Sequence, residues 1–180
     1  MPSSQLVPIF DGHNDVLLRL HRRAGSDPVT AFLEGEDGGQ LDFVKARKGG
    51  FAGGLFAIFV PPTRRKNADG AQNGLTATDA PAVDLAEAQR VTFAMAALLL
   101  RIERESQGRV RICRTVGDIE HCFANDTLAT VLHIEGAEAI DEKFDVLNVL
   151  HAAGLRSLGP VWSRPNAFGH GVPLDRKSVV

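Results

Sequence analysis

Three scarcities narrow what this 180-residue chain can be: clustered basic residues, long apolar runs and cysteines. No basic run is present to track phosphates, and a net charge of -2 with a pI near 6.3 gives no electrostatic reason to expect nucleic acid or an anionic membrane. The longest apolar stretch, Phe93 to Leu100, is far too short to span a bilayer. The N-terminal Met1-Pro2-Ser3-Ser4-Gln5 has neither a basic n-region nor an apolar h-region, so the reading is a cytoplasmic chain without a signal peptide. The two cysteines, Cys113 and Cys122, match no zinc or redox spacing and read as small buried apolar residues in a reducing compartment. Repeats, coiled coils and low-complexity tracts are absent as well. What is there, 44% apolar and 23% charged residues, is ordinary globular composition, enough for one domain over 1–180 with a real core.

Apolar runs alternate with helical periodicity. Leu6 to Phe10 reads as a strand. Leu17 to Gln40, broken by Gly25, Asp27-Pro28 and Gly35 to Gly39, reads as loop with at most a helical turn. Leu41 to Lys48 reads as a short helix closed by Gly49-Gly50, and Phe51 to Val60 as a strand buried on both faces. Thr63 to Thr76 is a polar, exposed excursion. Thr78 and Asp79 offer N-cap oxygens and Pro81 a first turn for a long helix reaching about Ser106. Its apolar positions are Val83, Leu85 or Ala86, Ala94, Ala97, Leu98 and Ile102. Val110 to Cys113 is a short extended piece and Val116 to Ala124 a short helix. Leu128 to Glu135 is a second buried strand, Asp145 to Ala153 a helix stopped by Gly154, and Leu155 to Trp162 a last strand entering a polar loop. Strand–helix alternation of this kind predicts right-handed βαβ units and a parallel sheet, whose chemistry sits at the C-terminal strand ends.

Chemistry-bearing residues gather at those ends. On an extended strand His13 and Asp15, two apart, point the same way and present an imidazole nitrogen and a carboxylate to one point, two ligands for a divalent metal such as zinc. In Val131 to Gly136, alternation puts Leu132 and Ile134 on one face and Val131, His133 and Glu135 on the other. Glu135 either points to solvent or to an arginine, or it reaches the His13/Asp15 site, where a carboxylate can span two cations. His133 reads as a hydrogen-bonded core histidine rather than a ligand. His21, His121 and His151 read as surface residues, and His170 lies in a loop near the strand ends.

Four segments together resemble the membrane (renal) dipeptidase family of zinc peptidases, in its bacterial branch. They are Phe-Asp-Gly-His-Asn-Asp at 10–15, the Gly-Gly-Phe-Ala-Gly-Gly-Leu-Phe-Ala-Ile-Phe-Val-Pro run at 49–61, His-Ile-Glu-Gly-Ala-Glu at 133–138, and the Gly-Leu-Arg-Ser-Leu-Gly-Pro-Val-Trp-Ser-Arg-Pro-Asn-Ala-Phe-Gly-His-Gly stretch at 154–171. The resemblance implies a (β/α)8 barrel with two zinc ions at its C-terminal face. It makes His13 and Asp15 ligands of the first zinc and Glu135 the bridge to the second and a catalytic residue. A metal-bridging hydroxide then attacks the peptide bond of a small dipeptide. Where many relatives carry a histidine that steadies the oxyanion, this chain has Trp162. Asn166 and His170 are the candidates to stand in for it, and Trp162, Asn166 and His170 make up the expected substrate side.

A full barrel takes about 250 residues. Four barrel strands are legible here, near 7–13, 52–60, 129–135 and 155–162. The expectation is therefore the N-terminal half of such a barrel, truncated, lacking the family's histidines for the second zinc and by itself inactive. Leu174 to Val180 departs from the family and reads as an aberrant or disordered tail. The rival readings are another amidohydrolase-like barrel hydrolase, a lactonase or deaminase, and a non-catalytic fragment that self-associates as a homodimer. The former usually opens with H-x-H, and Asp15 argues against it.

Overall fold

Every strand pairing in the sheet is parallel, which is what two long apolar runs separated by a helix require. The computed structural model of the chain describes residues 7–62 and 82–171. Five strands, β1 (Ile9–Asn14), β2 (Phe51–Phe59), β3 (Val110–Ile112), β4 (Leu128–Glu135) and β5 (Leu155–Gly159), run in chain order among six helices. These are α1 (Val16–His21), α2 (Pro28–Glu34), α3 (Phe43–Gly49), α4 (Leu85–Glu105), α5 (Val116–Ala124) and α6 (Asp145–Ala153). β4 is central. β2 follows one of its edges, while β3 and β5 share the other, β3 beside Leu128–Thr130 and β5 beside Leu132–Glu135. β1 flanks the far side of β2. A Cβ at Gly53 would come within 2.5 Å of the Ala129 carbonyl oxygen, so β2 needs glycine where it crosses β4.

The two faces of the sheet do different work. Leu132 and Ile134 join Phe56, Ile58, Leu17, Phe32, Met95 and Leu99 in the main core, beneath α1, α2 and α4. Burying each such side chain contributes about 1.5–3 kcal/mol. On the opposite face Ala129 and Val131 pack with Cys113, Cys122, Leu55 and Ile119. So α5 covers the N-terminal half of β4, and His133 and Glu135 lie further along that same face.

Caps set most helix starts. Asp27 precedes Pro28 at the head of α2, and Asp42 accepts from the Lys45 N–H at 2.8 Å to start α3. Gly50, at φ 74°, ends α3 in a left-handed conformation that glycine adopts freely. α4 starts behind Asp84, which accepts from Glu87 N–H. Thr78, Asp79 and Pro81 lie outside the described residues, as do the excursion at 63–76 and the tail at 174–180.

Several boundaries differ from the sequence reading. Leu17 to Gln40 holds two helices, α1 and α2, rather than a loop. Both are too short to persist alone, and burial of Leu17, Leu20, Phe32 and Leu33 holds them. β1 runs from Ile9 to Asn14 instead of Leu6 to Phe10. It is a largely exposed edge strand, so its pairing with β2, not an apolar pattern, defines it. β5 stops at Gly159, before Pro160, which has no N–H to donate. β3 adds a short fifth strand to the four barrel strands. Cys113 and Cys122 are buried and free, with their sulfurs 3.7 Å apart. No helix among the described residues is long and apolar enough to cross a membrane.

Two consequences are measurable. Burial, with the neighbouring Cys122 adding to it, pushes the Cys113 thiol up to about 12, and burial raises Cys122 too. The folded chain should therefore resist iodoacetamide at pH 8 and take up two labels only on unfolding, read by mass spectrometry. In α5, hydrogen bonds from Arg114 N–H and Thr115 hold the Asp118 carboxyl down at about 2, against 3.8 ordinarily. A depressed native pKa contributes stability that is present above about 3.8 and lost as pH falls towards 2. Urea midpoints of wild type should fall over that interval more steeply than those of Asp118→Asn.

Candidate metal centre

His13 is the fifth residue of β1 and Glu135 the last of β4, so the parallel register delivers both to one end of the sheet. Glu135 pairs with Phe59 of β2 and Gly159 of β5, and Asn14 of β1 with Phe56. Asp15 is not on the strand. It is the N-cap of α1, with φ -98° and ψ 24°, so the same-side argument from strand alternation does not apply to it. The turn into α1 nonetheless brings its carboxylate round: Oδ1 lies 3.6 Å from His13 Nε2. Glu135 Oε2 lies 3.6 Å from that same nitrogen. One donor atom from each of the three residues falls within 4.8 Å of the others.

Zinc bonds of about 2.0–2.1 Å at tetrahedral angles separate neighbouring donors by about 3.4 Å. The two 3.6 Å spacings at His13 are close to that. The donor set, one imidazole and two carboxylates, suits zinc chemically. The charge balance favours a cation too: among the described residues both acids have only His13 in ion-pair range. Burial pushes the Glu135 carboxyl above its usual range, the Asp15 and Glu138 carboxylates add to the effect, and His13 opposes it. The residues therefore fit a divalent metal.

His133 sits one residue pair below Glu135 and is not one of the three donors. Its Nδ1 lies 2.8 Å from Ser157 Oγ, and its ring meets the His13 ring edge-on with centroids 5.5 Å apart. Burial, reinforced by His13, lowers its pKa. His121 and His151 are exposed, while His21 is half-buried, further inside than its surface reading implied.

The segment after β5 forms a rim at the ends of β2 and β4. Trp162 is half-exposed and stands edge-on to Phe59, centroids 5.6 Å apart, next to the strand position of Glu135. Asn166 holds the loop itself, donating to the Pro160 carbonyl at 2.8 Å and accepting from Phe168 N–H at 2.8 Å. His170 is exposed between two glycines and enters none of the hydrogen bonds of the described residues.

Two residues here carried no signal read from the sequence. Arg164, 4% exposed, donates to Glu138 Oε1 at 2.8 Å and to the Val60 carbonyl at 2.6 Å, and it lies over the Phe59 ring. This buried pair ties the rim to the ends of β2 and β4. The available sign was an acid, Glu138, inside the apolar Ala137–Ile140 stretch. Among the described residues, Glu138 Oε2 and Arg164 Nε are buried without hydrogen-bond partners.

A parallel sheet interleaved with helices, with donors clustered at its C-terminal strand ends, is the arrangement of a TIM-barrel-like protein. The chain belongs to the membrane dipeptidase family (peptidase family M19), whose model matches residues 4–178. An uncharacterized protein encoded in the PQQ-III 3′ region of Acinetobacter calcoaceticus is 40% identical over 166 residues, covering 92% of this chain and 52% of its own. The solved structure of dipeptidase AC, a metallo peptidase, is 45% identical with a TM-score of 0.80, and the match covers 94% of this chain and 47% of that one. A metallo peptidase from Rhodobacter sphaeroides, solved with a phosphinate mimic of the dipeptide L-Ala-D-Ala, is 44% identical with a TM-score of 0.81, covering 94% and 49%. The chain thus spans about half the length of these relatives.

Removing one member of a buried ion pair strands the other and costs about 3–5 kcal/mol, whereas replacing both with apolar groups is far milder. Arg164→Ala should therefore lose about that much in urea unfolding, and the double variant Glu138→Leu/Arg164→Met clearly less.

Proposed function

We propose that the protein is a zinc-dependent dipeptidase, with His13 and Asp15 holding one zinc and Glu135 placed to reach a second. The observation that carries this reading is the meeting of three donors from β1, the head of α1 and the end of β4. The family membership supports it, and so does a 44% identical relative solved with a dipeptide mimic. When bound, zinc lowers the pKa of a coordinated water and polarises the peptide carbonyl.

The chain's own residues supply the rest. His13 offers Nε2, and its ring is packed edge-on against His133, which limits its rotation. Asp15, the most exposed of the three, adds negative charge at the open side. Glu135 keeps two carboxylate oxygens at the strand end, one facing His13. Trp162, braced by Phe59, together with Asn166 and His170 forms the side on which a dipeptide would rest. Three donors suffice for one tetrahedral zinc with an open position. A second zinc needs ligands besides these three.

The 180-residue chain should bind about one zinc, and any dipeptide hydrolysis it shows should be chelator-sensitive. Zinc content after dialysis and competition with a fluorescent chelator test the first part. His13→Ala and Glu135→Gln should each weaken zinc at least 100-fold. Wild-type affinity in both variants, or hydrolysis that survives chelation, would reject the reading.

A further inference from the structure

An aspartate at a helix N-cap ordinarily accepts a hydrogen bond from the second or third N–H of the first turn. Asp27, Asp42 and Asp84 all do so in this chain. Asp15, the N-cap of α1, makes no such bond. Its carboxylate lies instead near His13 Nε2. Something must offset the missing cap and hold the bend between β1 and α1, because a free carboxylate would otherwise swing back to the helix amides.

The neighbouring residue holds the bend and satisfies a different free amide of the first turn. Asn14 Oδ1 accepts from Val16 N–H, the first amide of α1, at 3.4 Å. Its Nδ2 donates to the Leu55 carbonyl of β2 at 3.1 Å and to Asp11 Oδ2 at 3.1 Å. Asp11 in turn accepts from His13 N–H at 3.2 Å through its other oxygen. One side chain thus joins three elements: the head of α1, the middle of β2, and the strand segment that carries His13. It lies between the two donor residues in sequence, and its bond to Leu55 is part-buried.

We propose that Asn14 is a positioning residue of the metal centre: it holds the first amide of α1 and pins the bend to β2, which keeps the Asp15 carboxylate turned towards His13. This rests on the reading of His13, Asp15 and Glu135 as metal ligands. Asn14 touches neither substrate nor metal and acts only through the geometry of the pair it separates. Groups that orient metal ligands from behind typically change metal affinity 10–100-fold when removed.

The test measures zinc affinity of the 180-residue chain by chelator competition, and the visible spectrum of its cobalt(II) form, for wild type, Asn14→Ala and Asn14→Leu. Leucine keeps the shape of the side chain and removes all its hydrogen bonds. Both variants should bind zinc 10–100-fold more weakly than wild type and shift the cobalt spectrum, while the far-UV circular dichroism of the metal-free chain stays that of wild type. Weak or absent zinc binding by wild type itself would overturn the metal reading and this inference with it. Wild-type binding with unchanged affinity in both folded variants would overturn this inference alone. Failure of both variants to fold would also overturn it, since Asn14 would then serve the stability of the chain rather than the donor pair.

Discussion

Parallel register is the constraint on which the rest depends. In a parallel sheet all strands finish at the same edge, so side chains far apart in sequence meet there without any long excursion. β1, β2, β4 and β5 are locked in that alignment by backbone hydrogen bonds, with Glu135 level with Phe59 and Gly159. A slip of one residue in β4 would turn Glu135 to the face that holds Leu132 and Ile134. The apolar demand of the main core therefore also aims the carboxylate. Packing and chemistry are set by the same alternation.

The two halves of the inward face divide the labour. Near the start of β4, Ala129 and Val131, with Leu55 and Cys113, pack against Cys122 and Ile119 of α5, which covers that end. Near the finish, larger polar groups replace them: His133, then Glu135. His133 is half-buried between Ser157 and His13 and spans the transition from dry to wet. Above it His13 and Asp15 are open to solvent and Glu135 partly so. The rim is anchored by the Arg164–Glu138 pair, whose burial on the β2 and β4 ends makes it sensitive to the loss of either partner.

Much of this was legible in the order of residues. Phe51 to Phe59 is a continuous apolar run and Leu128 to Leu132 nearly one, because strands covered on both faces have little room for polar side chains, and both strands were readable as such. α3 and α6 were also clear from the glycines that close them, Gly50 and Gly154, and α5 was read at the bounds it has. α1 and α2 were not, because six- and seven-residue helices owe their existence to burial and leave almost no periodic trace. β1 was misplaced for the related reason that an exposed edge strand shows no alternation of burial. Arg164 and Glu138 could not be paired in advance, since nothing local links them across the loop.

Local chemistry by itself determined which side chains carry charge and nitrogen donors: the H-x-D pair after an apolar stretch, and the acid closing β4. Only the tertiary structure decided that Asp15 reaches the centre from a helix cap instead of a strand, and that Asn14 rather than Asp15 receives the first amide of α1. Those outcomes depend on where β2 presents the Leu55 carbonyl, a group supplied from a distant part of the chain. Short-range rules cannot see such a group, because its position is fixed by the packing of the sheet as a whole.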